Sequence, residues 1–348
     1  WASQLGATVE QLGFIVGAYN GSILVSSYVF GRAADVHGSR KILQTGLLLA
    51  SLAAFLQVLA FDRLTVVVTR VVLGFTVGMY PAALLAYARS ADRAVGPYAA
   101  WGSLGWALGT LVAGLADFLA QGDVRPIFVV SSLLFVAGFV VSASAPLTGT
   151  GKLTVPLFPI ALIRRNLPIY VAMLIRHTGA NMVWVIFPLY LRDNLGMSGL
   201  EIGLAYTLNP LVQFAVMRKL DRFPSRTLVI AGLVGSAATF LTFTLARNFV
   251  EILLTQVLLG VSWATLYVGT LQFIVERNPE TATAGGILGS VMSISSILGP
   301  ILGGILSTGD HYILPMYVAA GLCGAALVAY WFELRVAASP GPAPATRF

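Results

Sequence analysis

Eleven long apolar stretches shape this sequence and leave few folds open to it. Each is about as long as an α-helix must be to cross the hydrocarbon core of a bilayer. They lie at residues 10–31, 41–60, 64–88, 96–120, 126–145, 167–191, 200–219, 227–246, 250–275, 283–306 and 312–333. Only 10% of the residues are charged, whereas a soluble domain carries roughly 25%. The sequence therefore predicts an all-α polytopic membrane protein.

The basic residues are divided unequally between the loops on the two sides of the membrane. Fifteen lie in one set of alternate loops: Arg32, Arg40, Lys41, Arg89, Arg93, Lys152, Arg164, Arg165, Arg218, Lys219, Arg222, Arg226, Arg277, Arg335 and Arg347. Four lie in the other set: Arg63, Arg125, Arg192 and Arg247. The positive-inside rule places the first set, and with it the C-terminus, in the cytoplasm. We expect a multi-pass protein of the cell membrane.

The net charge and the cysteine content limit the partners that this chain can have. The net charge is +7, but the sequence has no basic soluble domain with interleaved aromatic residues, so we expect no nucleic-acid partner. Cys323 is the single cysteine, and no cluster of Cys and His residues has metal-ligand spacing. We expect no cofactor and no metal, and a monomer whose surroundings are the lipid bilayer.

Two segments of the sequence recur at one common offset. Asp35, in the segment Gly-Arg-Ala-Ala-Asp-Val-His-Gly-Ser-Arg-Lys, is matched 186 residues later by Asp221 in Leu-Asp-Arg-Phe-Pro-Ser-Arg. The segment Thr69–Gly74 (Thr-Arg-Val-Val-Leu-Gly) is matched at the same offset by Thr255–Gly260 (Thr-Gln-Val-Leu-Leu-Gly). Matches at one offset indicate two half-proteins related by duplication, which is how one large class of secondary transporters is built.

The repeat also divides the chain into parts. Residues 1–147 form an N-terminal transmembrane bundle, 148–165 a cytoplasmic linker, 166–336 a C-terminal bundle and 337–348 a disordered tail. About 28 apolar residues precede the loop Leu195-Gly196, whereas only four precede the matching Leu5-Gly6. We therefore expect the native protein to have one further helix at its N-terminus.

These motifs resemble those of the major facilitator superfamily over essentially the whole chain. The family signature Gly-x-x-x-Asp-x-x-Gly-Arg-(Arg/Lys) between its second and third helices is matched by Gly31, Asp35, Gly38, Arg40 and Lys41, with Ser39 in place of the first arginine. Its fourth-helix signature Arg-x-x-x-Gly is matched by Arg70 and Gly74, and the degenerate second copy keeps Asp221, Arg222 and Arg226.

The resemblance implies a fold and a way of working. The fold is two pseudo-symmetric six-helix bundles around a central cavity, with eleven of the twelve transmembrane helices present. The function is alternating-access transport of a small molecule, with family helices one, four, seven and ten lining the cavity. For Arg70 the resemblance implies a role in proton translocation or in helix packing.

Asp35 has the chemistry of a gate residue. An aspartate in a tight turn at helix ends can accept hydrogen bonds from the N-terminus of a neighbouring helix and can pair with an arginine. Gly31 and Gly38 allow backbones to approach closely there. We therefore expect Asp35 and its repeat partner Asp221 to hold one side closed; the alternative is a solvated charge cluster that sets topology.

Arg176 is the second ionisable residue predicted within the membrane, after Arg70. A charge there costs at least about 2.5–3.5 kcal/mol on insertion scales, which makes it a functional candidate. Arg176 opens a polar run with His177, Asn181 and Trp184. Its guanidinium offers a planar fork for carboxylate or phosphate, so this cluster is the predicted recognition site, favouring anionic or zwitterionic solutes. The alternative is an arginine paired structurally with a carboxylate or carbonyls.

Further polar and aromatic residues are predicted at similar depth in other helices. They are Asn20, Tyr80, Asn209, Gln213, Trp263 and Tyr267. Amides and aromatic rings that face a cavity fix the orientation of a small molecule while apolar area is buried. We take these six as candidate substrate-binding residues, with packing as the alternative for each.

Energy coupling is the least determined part of the sequence. Asp117 is the one candidate for a buried coupling carboxylate within the helices, and a position at the membrane interface is the alternative. The sequence has no paired intramembrane carboxylates and no His-Glu-x-x-His or Gly-x-Ser-x-Gly motif, so none of these signs of an enzyme is present. The sequence predicts a secondary active transporter, proton-coupled; the alternatives are an uncoupled facilitator, a sodium-linked carrier, a membrane sensor or a membrane-embedded enzyme.

Overall fold

The computed structural model of this chain describes residues 5–91, 93–119, 123–144, 152–307 and 312–338. Within these ranges it contains twelve α-helices and no β-strand: α1 (Val9–His37), α2 (Ser39–Leu56), α3 (Arg63–Val77), α4 (Tyr80–Ser90), α5 (Val95–Leu119), α6 (Arg125–Ser144), α7 (Ile160–Asp193), α8 (Gly199–Met217), α9 (Ser225–Leu245), α10 (Phe249–Arg277), α11 (Thr281–Leu306) and α12 (Ile313–Ala338). The predicted all-α fold is confirmed.

The helices are long enough to cross a membrane. Ten spans of the described chain have the necessary length and apolar composition, with α3 and α4 together forming one of them. The 25-residue helix α5 is a further apolar segment. These eleven segments correspond to the eleven stretches expected from the sequence.

The span predicted at 64–88 is broken into α3 and α4 at Gly78 and Met79. Pro81 occupies the first turn of α4. A proline has no N–H to donate to the carbonyl four residues earlier, and its ring clashes with that carbonyl. A helix therefore ends before Pro81 and a new one begins at Tyr80, which apolar length alone did not predict.

Two helices are longer than expected. α1 continues through Asp35 to His37, and only Gly38, with φ of +105°, separates it from α2. A positive φ of this size is comfortable for glycine alone. α7 begins at Ile160, inside the predicted linker of 148–165, and runs for 34 residues.

Following the two copies of the sequence repeat, we call α1–α6 the N-bundle and α7–α12 the C-bundle. Within the C-bundle, α11 and α12 both pack along α7, and α9 packs along α10. The bundles meet along two lines of contact. We call the contact of α1 and α4 with α11 the first seam, and the contact of α5 with α8 the second seam.

The seams are closed at one end of the molecule, where Arg32, Arg89 and Arg222 lie; we call it the basic end. Hydrogen bonds between the bundles lie there, such as those from α11 to Asp35 and from α5 to Asp221. Towards the opposite end, three glycines of α1 face open space, because a Cβ added to any of them would meet no described atom within 4 Å: Gly13, Gly17 and Gly21. Among the described residues, the carboxylate contacts between the bundles thus lie at the basic end.

Candidate functional site

Asp35 joins the N-bundle to the first turn of α11. Its carboxylate accepts hydrogen bonds from the Ala282 N–H at 3.2 Å, from the Thr283 N–H at 2.7 Å and from the Thr283 hydroxyl at 2.6 Å. The first turn of a helix has unpaired N–H groups and a partial positive charge, so it is a favourable place for a carboxylate. Asp35 is 7% exposed, so this contact forms away from bulk water.

Two glycines allow α1 and α11 to come together at this point. A Cβ on Gly31 would lie 2.5 Å from the carbonyl oxygen of Ala282, and a Cβ on Gly286 would lie 2.3 Å from that of Ser27. Both distances are far below van der Waals contact. The close approach that brings Asp35 to the N-terminus of α11 therefore requires glycine at both positions.

Asp221 makes the equivalent contact across the second seam. Its two carboxylate oxygens accept from the Gly96 N–H at 2.9 and 3.0 Å, and one also accepts from the Gln272 amide at 3.2 Å. Gly96 lies 186 residues before Ala282, the offset that also separates Asp35 from Asp221. The duplication is thus preserved in both partners of the contact.

The other motif residues at the basic end do different work. Arg40 donates to the carbonyl of Ala143 on α6 at 2.7 Å; it makes no ion pair with Asp35, contrary to the pairing considered from the sequence. The reason is geometric: α2 starts directly after Gly38, which turns Arg40 towards its own bundle. Lys41 is exposed, and Arg226 lies near Tyr330 of α12.

Arg89 is a residue of this site that sequence reasoning missed. It lies in the last turn of α4, and its guanidinium donates to the main-chain carbonyl of Asn278 and to the Thr281 hydroxyl at 2.5 Å. Asn278 ends α10 and Thr281 begins α11. In the sequence Arg89 was one of fifteen basic residues in the predicted cytoplasmic loops, and no motif distinguished it.

Arg70 and Gly74 lie on one helix that packs against α1. The Arg70 guanidinium lies 5.5 Å from the ring centre of Phe128 on α6 and within electrostatic reach of the Tyr19 hydroxyl. A Cβ on Gly74 would lie 2.5 Å from the Tyr19 carbonyl. Gln256, which takes the place of Arg70 in the second repeat, is fully buried and its amide has no hydrogen-bond partner among the described residues.

Arg176 points into the C-bundle. Its Nε donates to the Ser236 hydroxyl at 3.1 Å, and its guanidinium lies 4.8 Å from the ring centre of Trp263 and 5.7 Å from that of Phe240. It is 2% exposed, and none of the acidic side chains that the structure describes pairs with it. Aromatic faces stabilise this buried cation.

Three side-chain rings of α7 and α10 form a stacked row; we call it the aromatic row. His177 stacks on Trp263 with ring centres 5.5 Å apart, and Trp263 stacks on Tyr267 at 5.3 Å. All three are predicted recognition residues, and the fold brings His177 to the other two. Tyr80 lies outside the row and packs edge-on against Phe135 of α6, with ring centres 5.9 Å apart.

The remaining predicted recognition residues lie outside this row and make local contacts. Asn20 donates to the Val16 carbonyl and Asn181 to the His177 carbonyl, each one turn back in its own helix. Trp184 packs at 5.0 Å against Tyr206 of α8. Of the predicted cluster of 176, 177, 181 and 184, Arg176 and His177 thus share a neighbour in Trp263, whereas Asn181 and Trp184 make contacts of their own.

Asn209 and Gln213 form a hydrogen-bonded polar pair, one turn apart on α8. The Gln213 amide donates to Asn209 at 2.6 Å and accepts from the Ser103 hydroxyl of α5 at 2.9 Å. The pair therefore lies at the second seam, between the bundles. The side chain of Asp117, the candidate coupling carboxylate, lies outside the described residues.

Comparison with known proteins gives a consistent picture. The family model described as Major Facilitator Superfamily matches residues 1–168 and again residues 169–347. The quinolone resistance protein NorA of Staphylococcus aureus (strain COL) is 23% identical over 352 residues, which cover 96% of this chain and 90% of that protein. An MFS-type transporter of Claviceps purpurea (strain 20.1) is 27% identical over 125 residues, 35% of this chain and 21% of that protein.

Solved structures share the fold at low identity. The human organic anion transporter MFSD10 (TETRAN) superposes with a TM-score of 0.75 at 14% identity, covering 94% of this chain and 87% of that one. The proton:xylose symporter XylE superposes with a TM-score of 0.69 at 12% identity, covering 92% and 86%. Identities this low establish the fold alone. Because the family model matches both halves, the chain belongs to the Major Facilitator Superfamily, and it is a multi-pass membrane transporter and not an enzyme.

Proposed function

We propose that this protein is a secondary active transporter of small organic solutes that works by alternating access. The observation that supports this most directly is the pair of equivalent contacts at the basic end, where Asp35 holds α11 and Asp221 holds α5. Hydrogen bonds to carboxylates at these two pseudo-symmetric positions join the bundles, and both contacts must break when one bundle turns away from the other. On this proposal the basic end is cytoplasmic, as is the C-terminus, and the structure is closed on the cytoplasmic side.

We further propose that the substrate is an amphipathic molecule with a planar aromatic group. The rings of Trp263 and Tyr267 in the aromatic row are only partly buried and offer apolar aromatic surface, and the amides of Asn209 and Gln213 lie near the seam for polar contacts. Aromatic walls with a few polar groups are typical of sites that bury drug-sized ligands. The similarity to quinolone resistance proteins favours the same class. On this proposal Arg176 does not bind the substrate; its guanidinium packs against Trp263 and holds that ring in position.

Transport on this proposal is coupled to protons. The solved structures of similar fold include a proton symporter, and the chain has two partly buried ionisable side chains within its membrane helices, Arg70 and His177. An uncoupled facilitator and a sodium-linked carrier are the alternatives that the flux experiment separates, because only a proton-coupled carrier responds to an imposed pH gradient at constant sodium.

The test is flux of a fluorescent quinolone into proteoliposomes, with and without a pH gradient. We expect flux that depends on the pH gradient. We expect this flux to fall about tenfold or more in Trp263→Ala, since stacking of a planar ring on an aromatic side chain is worth about 1–3 kcal/mol. The matched control is Trp106→Ala, because Trp106 is 71% exposed on the outside of α5. Flux unaffected by Trp263→Ala contradicts the aromatic site, and flux unaffected by the gradient contradicts proton coupling.

A further inference from the structure

The two seams have unequal sets of hydrogen bonds, although they descend from one repeat. Asp35 receives three hydrogen bonds from α11, two of them from Thr283. Asp221 receives only the N–H of Gly96 from α5. The residue equivalent to Thr283 is Pro97, 186 positions earlier. Proline has no N–H, and Pro97 has no hydroxyl either, so two of the three donors are missing on this side.

The remaining partner of Asp221 does not compensate for this difference. Gln272 donates to Asp221 at 3.2 Å, but both residues belong to the C-bundle. This bond satisfies the carboxylate without joining the bundles. Each seam also has a serine bond across it, from Ser290 to the Leu24 carbonyl in the first and from Ser103 to Gln213 in the second. Ser103 also lies 3.3 Å from the sulfur of Met217, which is only a weak acceptor.

Arg89 adds to the first seam alone. Its guanidinium binds the Asn278 carbonyl at the C-terminus of α10 and the Thr281 hydroxyl. A cation at a helix C-terminus is stabilised by the partial negative charge of the unpaired carbonyls, and a charged donor makes a stronger hydrogen bond than a neutral one. The residue equivalent to Arg89 in the second repeat is Val275, which can donate nothing to the second seam.

Arg89 binds to a turn that is fixed within the C-bundle. The side-chain amides of Asn278 and Asn166 donate to each other at 2.9 Å in both directions, and both residues are fully buried. The Arg165 guanidinium on α7 donates to the Arg277 carbonyl beside them at 3.0 Å. A pull on Arg89 therefore acts on α7, α10 and α11 together rather than on a loose loop.

From this asymmetry we propose that the basic end opens first at the second seam, and that Arg89 is the positioning residue that keeps the first seam closed until last. The proposal rests on the alternating-access function above and adds an order to it. The C-bundle then turns about the contact of α1 and α4 with α11, in place of the two seams separating together.

The test compares the accessibility of one buried serine in each seam. Ser27 in the first seam is 5% exposed and Ser103 in the second is 8% exposed, so both are buried in the closed state, and a cysteine at 103 keeps a weak S–H donor towards Gln213. Each is changed to cysteine in a Cys323→Ala background, which removes the single native cysteine. Labelling by a maleimide is followed in purified protein without any substrate, so the result is independent of what the protein transports.

We expect Ser103→Cys to be labelled about tenfold faster than Ser27→Cys, the ratio set by the additional charge-assisted bonds of the first seam. Arg89→Gln should raise the labelling of Ser27→Cys about tenfold and leave that of Ser103→Cys within about twofold. Thr281→Val, which removes one acceptor of Arg89 and keeps the charge, should act in the same direction. Arg164→Gln, at an exposed arginine of the same end, is the control.

Equal labelling rates at the two seams would overturn the proposal, as would an Arg89→Gln variant that raises both rates equally. If Arg89→Gln does not fold, the comparison of the two serines and the Thr281→Val variant still decide the question. Failure of quinolone flux with unequal labelling would contradict the proposed substrate while leaving the order of opening intact.

Discussion

Asp35 and Thr283 are joined by two hydrogen bonds, one from the threonine N–H at 2.7 Å and one from its hydroxyl at 2.6 Å, and they belong to opposite bundles. Such bonds to a charged acceptor are worth about 1.5–3 kcal/mol. The pair is therefore a main support of the closed basic end, and it can be weakened without touching the substrate site.

The first prediction concerns the charge of Asp35. Asp35→Asn keeps the size of the side chain but brings an NH₂ group towards the donors of Ala282 and Thr283. We expect the closed state to lose about 1.5–3 kcal/mol, seen as a tenfold or greater rise in maleimide labelling of a cysteine at Ser27 and as reduced transport. Lys41→Gln, at an exposed residue of the same motif, is the control. Normal transport by Asp35→Asn would contradict a gate role.

The second prediction concerns the glycines of the first seam. Gly286→Ala places a methyl group 2.3 Å from the Ser27 carbonyl, so α1 and α11 must move apart. We expect the variant to be inserted in the membrane but unable to close at the basic end, with labelling at Ser27 raised. Gly17→Ala is the matched control, because its added Cβ meets nothing within 4 Å. Similar labelling in the two variants would show that the close approach is unnecessary.

The third prediction concerns Arg176. Arg176→Met removes the bond to Ser236 and the cation above Trp263 while filling similar space. We expect a lower thermal unfolding temperature. In a protein whose other tryptophans are replaced by phenylalanine, we also expect the emission maximum of Trp263 to shift, because its indole loses the guanidinium at 4.8 Å. Arg247→Met, at an exposed arginine, should leave both unchanged. Unaltered Trp263 fluorescence in Arg176→Met would contradict a contact between the Arg176 guanidinium and the Trp263 ring.

The fourth prediction concerns pH at the start of α3. Hydrogen bonds from the Thr65 N–H and hydroxyl lower the pKa of Asp62, which caps this helix. A carboxylate with a lowered pKa stabilises the folded state above its unfolded pKa, and the effect is lost as the pH falls through the lowered value. Amide exchange at Thr65 should therefore stay slow until below the ordinary range of aspartate. In Asp62→Asn, exchange should show no step over this range.

The architecture was predictable from the sequence because lipid imposes strict rules. The length of apolar runs predicted most spans to within a few residues, although α1 ends six residues later and α7 begins seven residues earlier than predicted. The repeat predicted that Asp35 and Asp221 take equivalent positions. The break before Pro81 was not predicted from apolar length, since α3 and α4 are both apolar. The proline itself was the available signal.

The candidate site was less predictable, because it depends on side-chain direction. Arg176 and His177 are adjacent in sequence and both pack on Trp263. Asn181 bonds within its own helix and Trp184 packs on Tyr206. Helix periodicity placed these four residues near one another on α7 but could not show which neighbour each side chain meets. Arg89 could not be identified at all, since its acceptor is a main-chain carbonyl, which every residue has.

The junction between α1 and α2 determines how movement reaches the gate. The 29 residues of α1 form a helix roughly 43 Å long. Asp35 lies within this helix rather than on a loop, and only Gly38 separates α1 from α2. No flexible loop separates Asp35 from the membrane-spanning part of α1. A displacement of α1 deep in the membrane is therefore transmitted along the helix to Asp35. A ligand bound far from the basic end can in this way control whether that end is closed.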